Sequence, residues 1–236
     1  MRTIAVVGKG GSGKTTTAIN LACALGSMSK KVTLVDCHMT GSHVGVELGI
    51  IPGTTLNDHI VHGERLEDAM HPHFNMFVIP SSMGLFDHEH AEFAGIGKSL
   101  RQSFNDFDYA ILDAAPGFGK EAVNAIKTSD DVIIVVNPTT TSIADAVRLK
   151  QTAMKANKNV IGMVVNKFGN RSFEIRPEEI SSLVELRVLA TIKEDEDFLR
   201  SQAAKTPMVF FRKNKSEQFN KIAHAVTGAE YQKRLI

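Results

Sequence analysis

The sequence predicts an α/β fold, a mainly parallel sheet with helices on both faces. Three observations predict it. Short runs rich in β-branched residues alternate with longer stretches of helical period along the whole chain. Several of the short runs are almost continuously apolar, "DVIIVV" at 131–136 most clearly, as strands covered on both faces are. The first run, "TIAVV", leads directly into a glycine-rich turn followed by an amphipathic stretch, which is how a strand–loop–helix unit begins.

The expected strands, in order, are 3–7, 31–36, 75–80, 108–113, 131–136, 160–166 and 187–192. Between them, Ala18, Leu21, Ala22 and Leu25 recur at i, i+3, i+4, i+7 and predict a helix. Ile143, Ala146, Val147 and the apolar stem of Lys150 predict a second. Phe219, Ile222, Ala223 and Val226 predict a third, stopped by Gly228. Over 81–104, glycines at 84, 95 and 97 are expected to interrupt any helix.

With 236 residues, 43% hydrophobic and 22% charged, the chain can bury an ordinary core. No repeat, low-complexity linker or composition break divides it, so one domain over 1–236 is expected. A net charge of +1 removes any global attraction to nucleic acid or anionic membrane, so such a surface would have to be a local patch. The longest apolar run has strand length rather than the length of a membrane span. Met1 leads into "TIAVV" without a charged-then-apolar leader, and Cys23 and Cys37 form no CxxC. A cytoplasmic, reducing location is expected.

The chemistry lies in "GKGGSGKT", residues 8–15, which fits GxxxxGK[ST] between a strand and a helix. Gly10, Gly11 and Gly13 let backbone N–H groups, including that of Ser12, converge where side chains would block a phosphate. The helix N-terminus adds positive partial charge, Lys14 matches the phosphate charge, and the Thr15 hydroxyl suits Mg²⁺. A glycine-rich turn that binds nothing would not need all eight positions and both flanks. Asp36 and Asp113 each end an expected strand, on the edge of the sheet where the loop sits, and together can support a metal beside a triphosphate.

At this point the chain resembles the MinD/ParA group of deviant Walker-A P-loop ATPases, of the SIMIBI type, whose loop reads xKGGxGK[ST]. The "KGGSGKTT" here is a full match, and Thr16 belongs to it. "VTLVDCHMTG", "YAILDAAPGFGKEA", "VVNPTTTSIADAVRL", "GMVVNKFGNR" and "TIKEDEDFLRSQAAKTPMVFF" are similar in order and spacing to archaeal MinD-type proteins. The resemblance implies binding of ATP or ADP with Mg²⁺, ATP hydrolysis, which the departure at His38 makes slow, and an ATP-dependent homodimer. Lys9 would reach the partner's nucleotide and act as an arginine finger does in trans. A loop lysine with no role beyond solvation is the plainer reading. Lys14, Asp36 and His38 would join Lys9 in catalysis, and Thr15, Asp36 and Asp113 would organise the metal. Asn166 resembles the family's adenine-contacting asparagine, and Lys193–Asp195, with Glu194, the loop over the base.

The departures carry information too. The family's DxD reads Asp36-Cys37-His38, so a histidine stands where the second acid usually orients water, while "DAAPG" replaces "DxPxG" and His43 replaces a common asparagine. A neutral imidazole can accept a proton, with an unperturbed pKa of about 6.5.

Eight of nine histidines lie between 38 and 90, including "HPH" at 71–73 and "HEH" at 88–90. A metal site or pH sensor is the sharp reading, ordinary exposed histidines the plain one. "RKNK" at 212–215 after Phe210 and Phe211, and "EYQKRLI" with Tyr231 and Leu235 at the end, read most simply as a solvated cap and a frayed terminus. A DNA or partner surface and a short membrane-binding helix are their sharper readings.

Three functions follow. The first is a MinD/ParA-like ATPase switch for spatial positioning or partitioning, with an activator protein and either DNA or a membrane surface as partners. The second is a metal- or cofactor-maturation ATPase using the histidines, against which the lack of a cysteine pair weighs. The third is a weakly or non-hydrolysing nucleotide-dependent scaffold, suggested by His38.

Overall fold

The computed structural model describes residues 1–39, 41–82 and 95–228. Among them run strands β1 (Arg2–Gly8), β2 (Val32–Cys37), β3 (His71–His73), β4 (Met76–Ile79), β5 (Tyr109–Ala114), β6 (Asp131–Val136), β7 (Asn159–Phe168) and β8 (Val188–Lys193). The helices are α1 (Lys14–Ser27), α2 (Val44–Leu48), α3 (Leu56–His62), α4 (Ile96–Ser103), α5 (Lys120–Thr128), α6 (Thr140–Lys155), α7 (Pro177–Val184), α8 (Asp197–Ala203), α9 (Met208–Phe211) and α10 (Glu217–Thr227).

The strands form one sheet in the order β3-β4-β2-β5-β1-β6-β7-β8. All neighbours pair parallel except β3 with β4. The seven expected strands are present with ends shifted by a residue or two. The eighth, β3, has no β-branched residue to announce it. Its Pro72 lacks an N–H, which is tolerated because β3 is an edge strand.

Alternation along β1 sends Ile4 and Val6 to one face and Ala5 and Val7 to the other, and each pair belongs to a separate core. On the first face α1 and α10 contribute Leu21, Leu25, Phe219 and Ile222. On the second, α5 and α6 contribute Ala125, Ile126, Ala146 and Leu149. The helix periods read from the sequence are therefore the buried stripes of α1, α6 and α10. Gly228 ends α10 in the left-handed region, with φ 71°.

The glycine expectation for 81–104 needs correction where it can be tested. Helix α4 starts directly after Gly95 and contains Gly97. A Cβ on Gly97 would lie 3.0 Å from Thr128 Cγ2, so the glycine lets α4 approach the end of α5. Burial of Ile96 and Leu100 offsets the helix cost of glycine, about 1 kcal/mol. Gly84, "HEH" at 88–90 and "EYQKRLI" lie outside the described residues. Among the described residues no helix is long and apolar enough to cross a membrane.

Candidate functional site

The glycine-rich loop leaves the carboxyl end of β1 and enters α1. Gly11 has φ 73° and Gly13 φ 93°, both in the region that L side chains avoid. A Cβ on Gly13 would also collide with Asn166 Nδ2, and one on Gly8 with the Val135 carbonyl. The backbone can thus be packed this tightly only by glycine. Ser12 N donates to Lys9 O at 3.1 Å, closing the turn.

Lys14 is 7% exposed, and its Nζ donates to Lys9 O at 3.3 Å. Burial lowers its pKa, while the Asp113 charge opposes that shift. Thr15 Oγ1 donates to Asp113 Oδ2 at 2.7 Å. Thr16 lines the same cavity, and its hydroxyl accepts from Gln202 Nε2 at 3.4 Å.

Asp36 and Asp113 pair in register across β2 and β5, and both are buried. The Asp36 carboxylate accepts from the backbone N–H groups of His38, His43 and Val44 and from the Ser42 hydroxyl, at 2.9–3.2 Å. Burial pushes its pKa up against these four donors. Burial and then the Asp36 charge push Asp113 up to about 8, opposed by the Thr15 hydroxyl and Lys14. Asp113 Oδ1 is buried without a hydrogen-bond partner. A hydroxyl beside an acid with an unused oxygen is the hard-oxygen donor set that Mg²⁺ takes, so the residues present fit Mg²⁺ carried by a nucleotide.

His38 sits beside this pair, its ring stacked on His43 with centroids 5.4 Å apart. Gly41 leaves the space for it, since a Cβ there would come within 2.9 Å of His38 Cε1. Burial lowers the His38 pKa, helped by the charges of His43 and Lys14, so its ring is neutral near pH 7.

A cavity of about 830 Å³ runs from Gly10, Lys14 and Thr15 past His38 and Asp113 to Asn166, Lys193 and Glu194. Asn166 is buried, and its Nδ2 donates to Ser12 O at 2.8 Å, bracing the loop. Glu194 N donates to Phe168 O at 3.2 Å, tying the rim segment to the end of β7. Lys9 is not in the cavity wall; its Nζ donates to Thr141 Oγ1, on the first turn of α6, at 2.7 Å.

Four residues were not singled out from the sequence. Asn137 Nδ2 donates to Asn166 O at 3.0 Å and to Ser12 O at 3.4 Å. Lys167 Nζ donates to Gly11 O at 2.9 Å, Ser42 holds Asp36, and Thr141 holds Lys9. Asn137 directly follows β6, so the strand-end rule that found the two acids also reaches it. His71 and His73 lie in β3, and among the described residues no group of three or more His, Cys, Asp or Glu can hold a metal ion. Cys23 and Cys37 are both buried, and burial raises both thiols.

Comparison with known proteins bears on this arrangement. The profile of a family described as "AAA domain" matches residues 1–162. An uncharacterised ATP-binding protein of Methanocaldococcus jannaschii is 31% identical over 225 residues, 94% of this chain and 86% of that protein. The crystal structure of the cell division ATPase MinD of Pyrococcus furiosus shares the fold with a TM-score of 0.90 at 27% identity, covering 96% of this chain and 98% of that one. The chain belongs to the MinD/ParA family of P-loop ATPases. A second MinD/ParA structure, the septum site-determining protein MinD of Pyrococcus horikoshii complexed with Mg-ADP, matches with a TM-score of 0.89 at 26% identity, over 95% of each chain. The MinD/ParA assignment extends through β8 and α10, beyond the residues that the family profile matches.

Proposed function

We propose that the protein is an ATP-binding, slowly ATP-hydrolysing switch that pairs as an ATP-dependent sandwich dimer and positions or partitions a cargo. The observation that carries this reading is the unequal placement of two lysines in one loop. Lys14 is buried and turned inward, whereas Lys9 is held at the rim by a single hydroxyl. A lysine placed so is free to cross an interface once a second copy docks. The neighbouring MinD structures support the cell-positioning part of the reading through what they are called, and the Mg-ADP complex supports the nucleotide.

In this reading Gly10–Gly13, Lys14, Thr15 and Thr16 hold the phosphates, and Asn166 with the Lys193–Glu194 rim holds the base. Thr15 and Asp113 hold Mg²⁺, with Asp36 supporting them from behind; the metal supplies Lewis-acid charge at the phosphate oxygens. His38 takes a proton from the attacking water, and Lys14 and the partner copy's Lys9 balance charge that develops on the phosphoryl group. An activator protein and a membrane surface or DNA complete the cycle, with the chain cytoplasmic or peripheral at a membrane.

Light scattering of the full chain in ATP and in ADP tests this. A dimer in ATP only, lost in Lys9→Ala while ADP binding is kept, is the expected result. A wild-type chain that stays monomeric in ATP under hydrolysis-blocked conditions overturns the trans role. His38 supports a second reading, a weakly hydrolysing scaffold, in which the ATP dimer forms but turnover does not depend on residue 38.

A further inference from the structure

A second cleft of about 360 Å³ lies where the start of α4, the last turn of α5 and the turn between α6 and β7 meet. Helices α5 and α6 lead into the first residues of β6 and β7, so this cleft is at the amino ends of the strands. The glycine-rich loop is at the carboxyl end of β1, and β6 alone is six residues long. At about 3.3 Å per residue the two sites stand on the order of 20 Å apart.

Lys98, Arg101, Lys127 and Lys158 line the cleft together with Asn124 and Thr128. Arg101 is fixed: its Nη2 donates to Asp130 Oδ1 at 2.7 Å and its Nη1 to Gly97 O at 3.3 Å. Asp130 is itself held by the Thr3 backbone N–H and hydroxyl, at 2.8 and 2.7 Å. Among the described residues Lys98, Lys127 and Lys158 have no acidic partner, so four cations face one carboxylate. The chain as a whole carries a net charge of only +1, which makes this a local concentration.

Helix stability does not account for it. Lys127 in the last turn of α5 complements that helix end, but Lys98 is in the first turn of α4, where a cation opposes the helix dipole. Mutual repulsion of the three unpaired ammonium groups adds to that cost, and a bound anion removes both penalties. A concave site with several ammonium groups around one pre-placed guanidinium suits a compact anion with several negative charges. Asn124 and Thr128 add uncharged donors for its remaining oxygens.

We propose that this cleft is a second anion site that takes a small polyphosphate, independently of the nucleotide at the glycine-rich loop. The four cations gather in one small cleft rather than along a line. This favours such a ligand over a nucleic-acid backbone, which needs an extended track of charge.

The test is calorimetric titration of inorganic tripolyphosphate into the full chain at low salt, with ADP saturating and Mg²⁺ in excess of both. One equivalent of saturable binding is expected. Lys98→Gln with Lys158→Gln should weaken it about tenfold or more, leave ADP affinity unchanged, and hold or raise the melting temperature of the ligand-free chain. Lys127→Gln alone should weaken it in the same direction. Absence of binding while ADP occupies the loop overturns the proposal, as does equal binding by wild type and the double variant. Binding of a DNA duplex that these substitutions abolish, without tripolyphosphate binding, overturns it in favour of nucleic acid. None of these outcomes depends on dimerisation or hydrolysis, so the switch reading stands or falls separately.

Discussion

Asp36 and Asp113 stand opposite each other on β2 and β5, yet only Asp113 has an oxygen to spare. Asp36 spends its carboxylate on the segment that follows it, gathering the N–H groups of His38, His43 and Val44 and the Ser42 hydroxyl. It therefore folds the approach to α2, while Asp113 faces the Thr15 hydroxyl. Two acids that look equivalent at strand ends do different work.

The two acids should consequently fail in different ways when substituted. Asp36→Ala leaves several buried donors unsatisfied and should cost about 2–5 kcal/mol in urea unfolding. Asp113→Asn should spare the fold but remove the Mg²⁺ dependence of ADP affinity in calorimetry. The Asp113 pKa is raised from 3.8 to about 8 without nucleotide, so its stabilising share is complete below the unfolded value and lost as pH rises through about 8. Asp113→Asn should flatten that part of the nucleotide-free stability profile. Equal metal dependence in wild type and Asp113→Asn would refute this division.

The loop glycines give a graded expectation. At Gly11 the left-handed φ is the sole obstacle, since nothing lies within 4 Å of an added Cβ. Gly11→Ala should cost about 1–2 kcal/mol and leave measurable nucleotide binding. Gly13→Ala meets the same backbone penalty and also drives into Asn166 Nδ2, so it should lose binding almost completely. Parallel unfolding and ADP titrations check this, and an equal effect at both positions would contradict it.

The parts of the fold that rest on apolar pattern were legible in the sequence. Strand β6 is buried at every position, and the α1 stripe of Leu21 and Leu25 packs where its period placed it. Strand β3 was not legible, because an edge strand gains little from side-chain burial and "HPH" carries no β signal. Gly97 misled for a related reason: its value lies in tight packing against Thr128, a distant contact. At the site, the loop was visible because its spacing is local, and the two acids because each ends an apolar strand run. The Thr141 hold on Lys9 joins segments that only the folded chain brings together. The Ser42 hold on Asp36, though only six residues away, depends on an irregular turn with no sequence period.

The Lys9–Thr141 bond sets up a test of the dimer reading. To reach a partner's phosphates Lys9 must leave the Thr141 hydroxyl, and an exposed bond of this kind contributes about 0.5–1.5 kcal/mol. Thr141→Val removes the bond and keeps the shape. Two such bonds break per dimer, so ATP-dependent dimerisation should strengthen by roughly fivefold to a hundredfold in sedimentation equilibrium. Monomer ADP affinity should not change. A weaker dimer in Thr141→Val would mean that the hydroxyl guides Lys9 rather than restrains it.

His38 decides whether hydrolysis follows the pattern that the family's second acid would give. Its ring stacks on His43, and burial followed by the charges of His43 and Lys14 lowers its pKa below the ordinary 6.5. The neutral, proton-accepting form is the one present above the pKa. Because the pKa is lowered, that form persists further toward acid than in a free histidine. ATP turnover should therefore be level around pH 7 and fall only below about 6.5, as the ring charges. His38→Asp supplies a carboxylate ionised over the same range, and should raise turnover and flatten the acid limb. His38→Ala should lower turnover by on the order of a hundredfold, the usual share of a positioned base, with ADP affinity preserved. If Asp36 and the two lysines suffice for the chemistry, all three proteins hydrolyse alike. Steady-state rates of the three proteins across about pH 5.5 to 8 separate the outcomes, and equal rates for wild type and His38→Ala over that span remove His38 from the reaction.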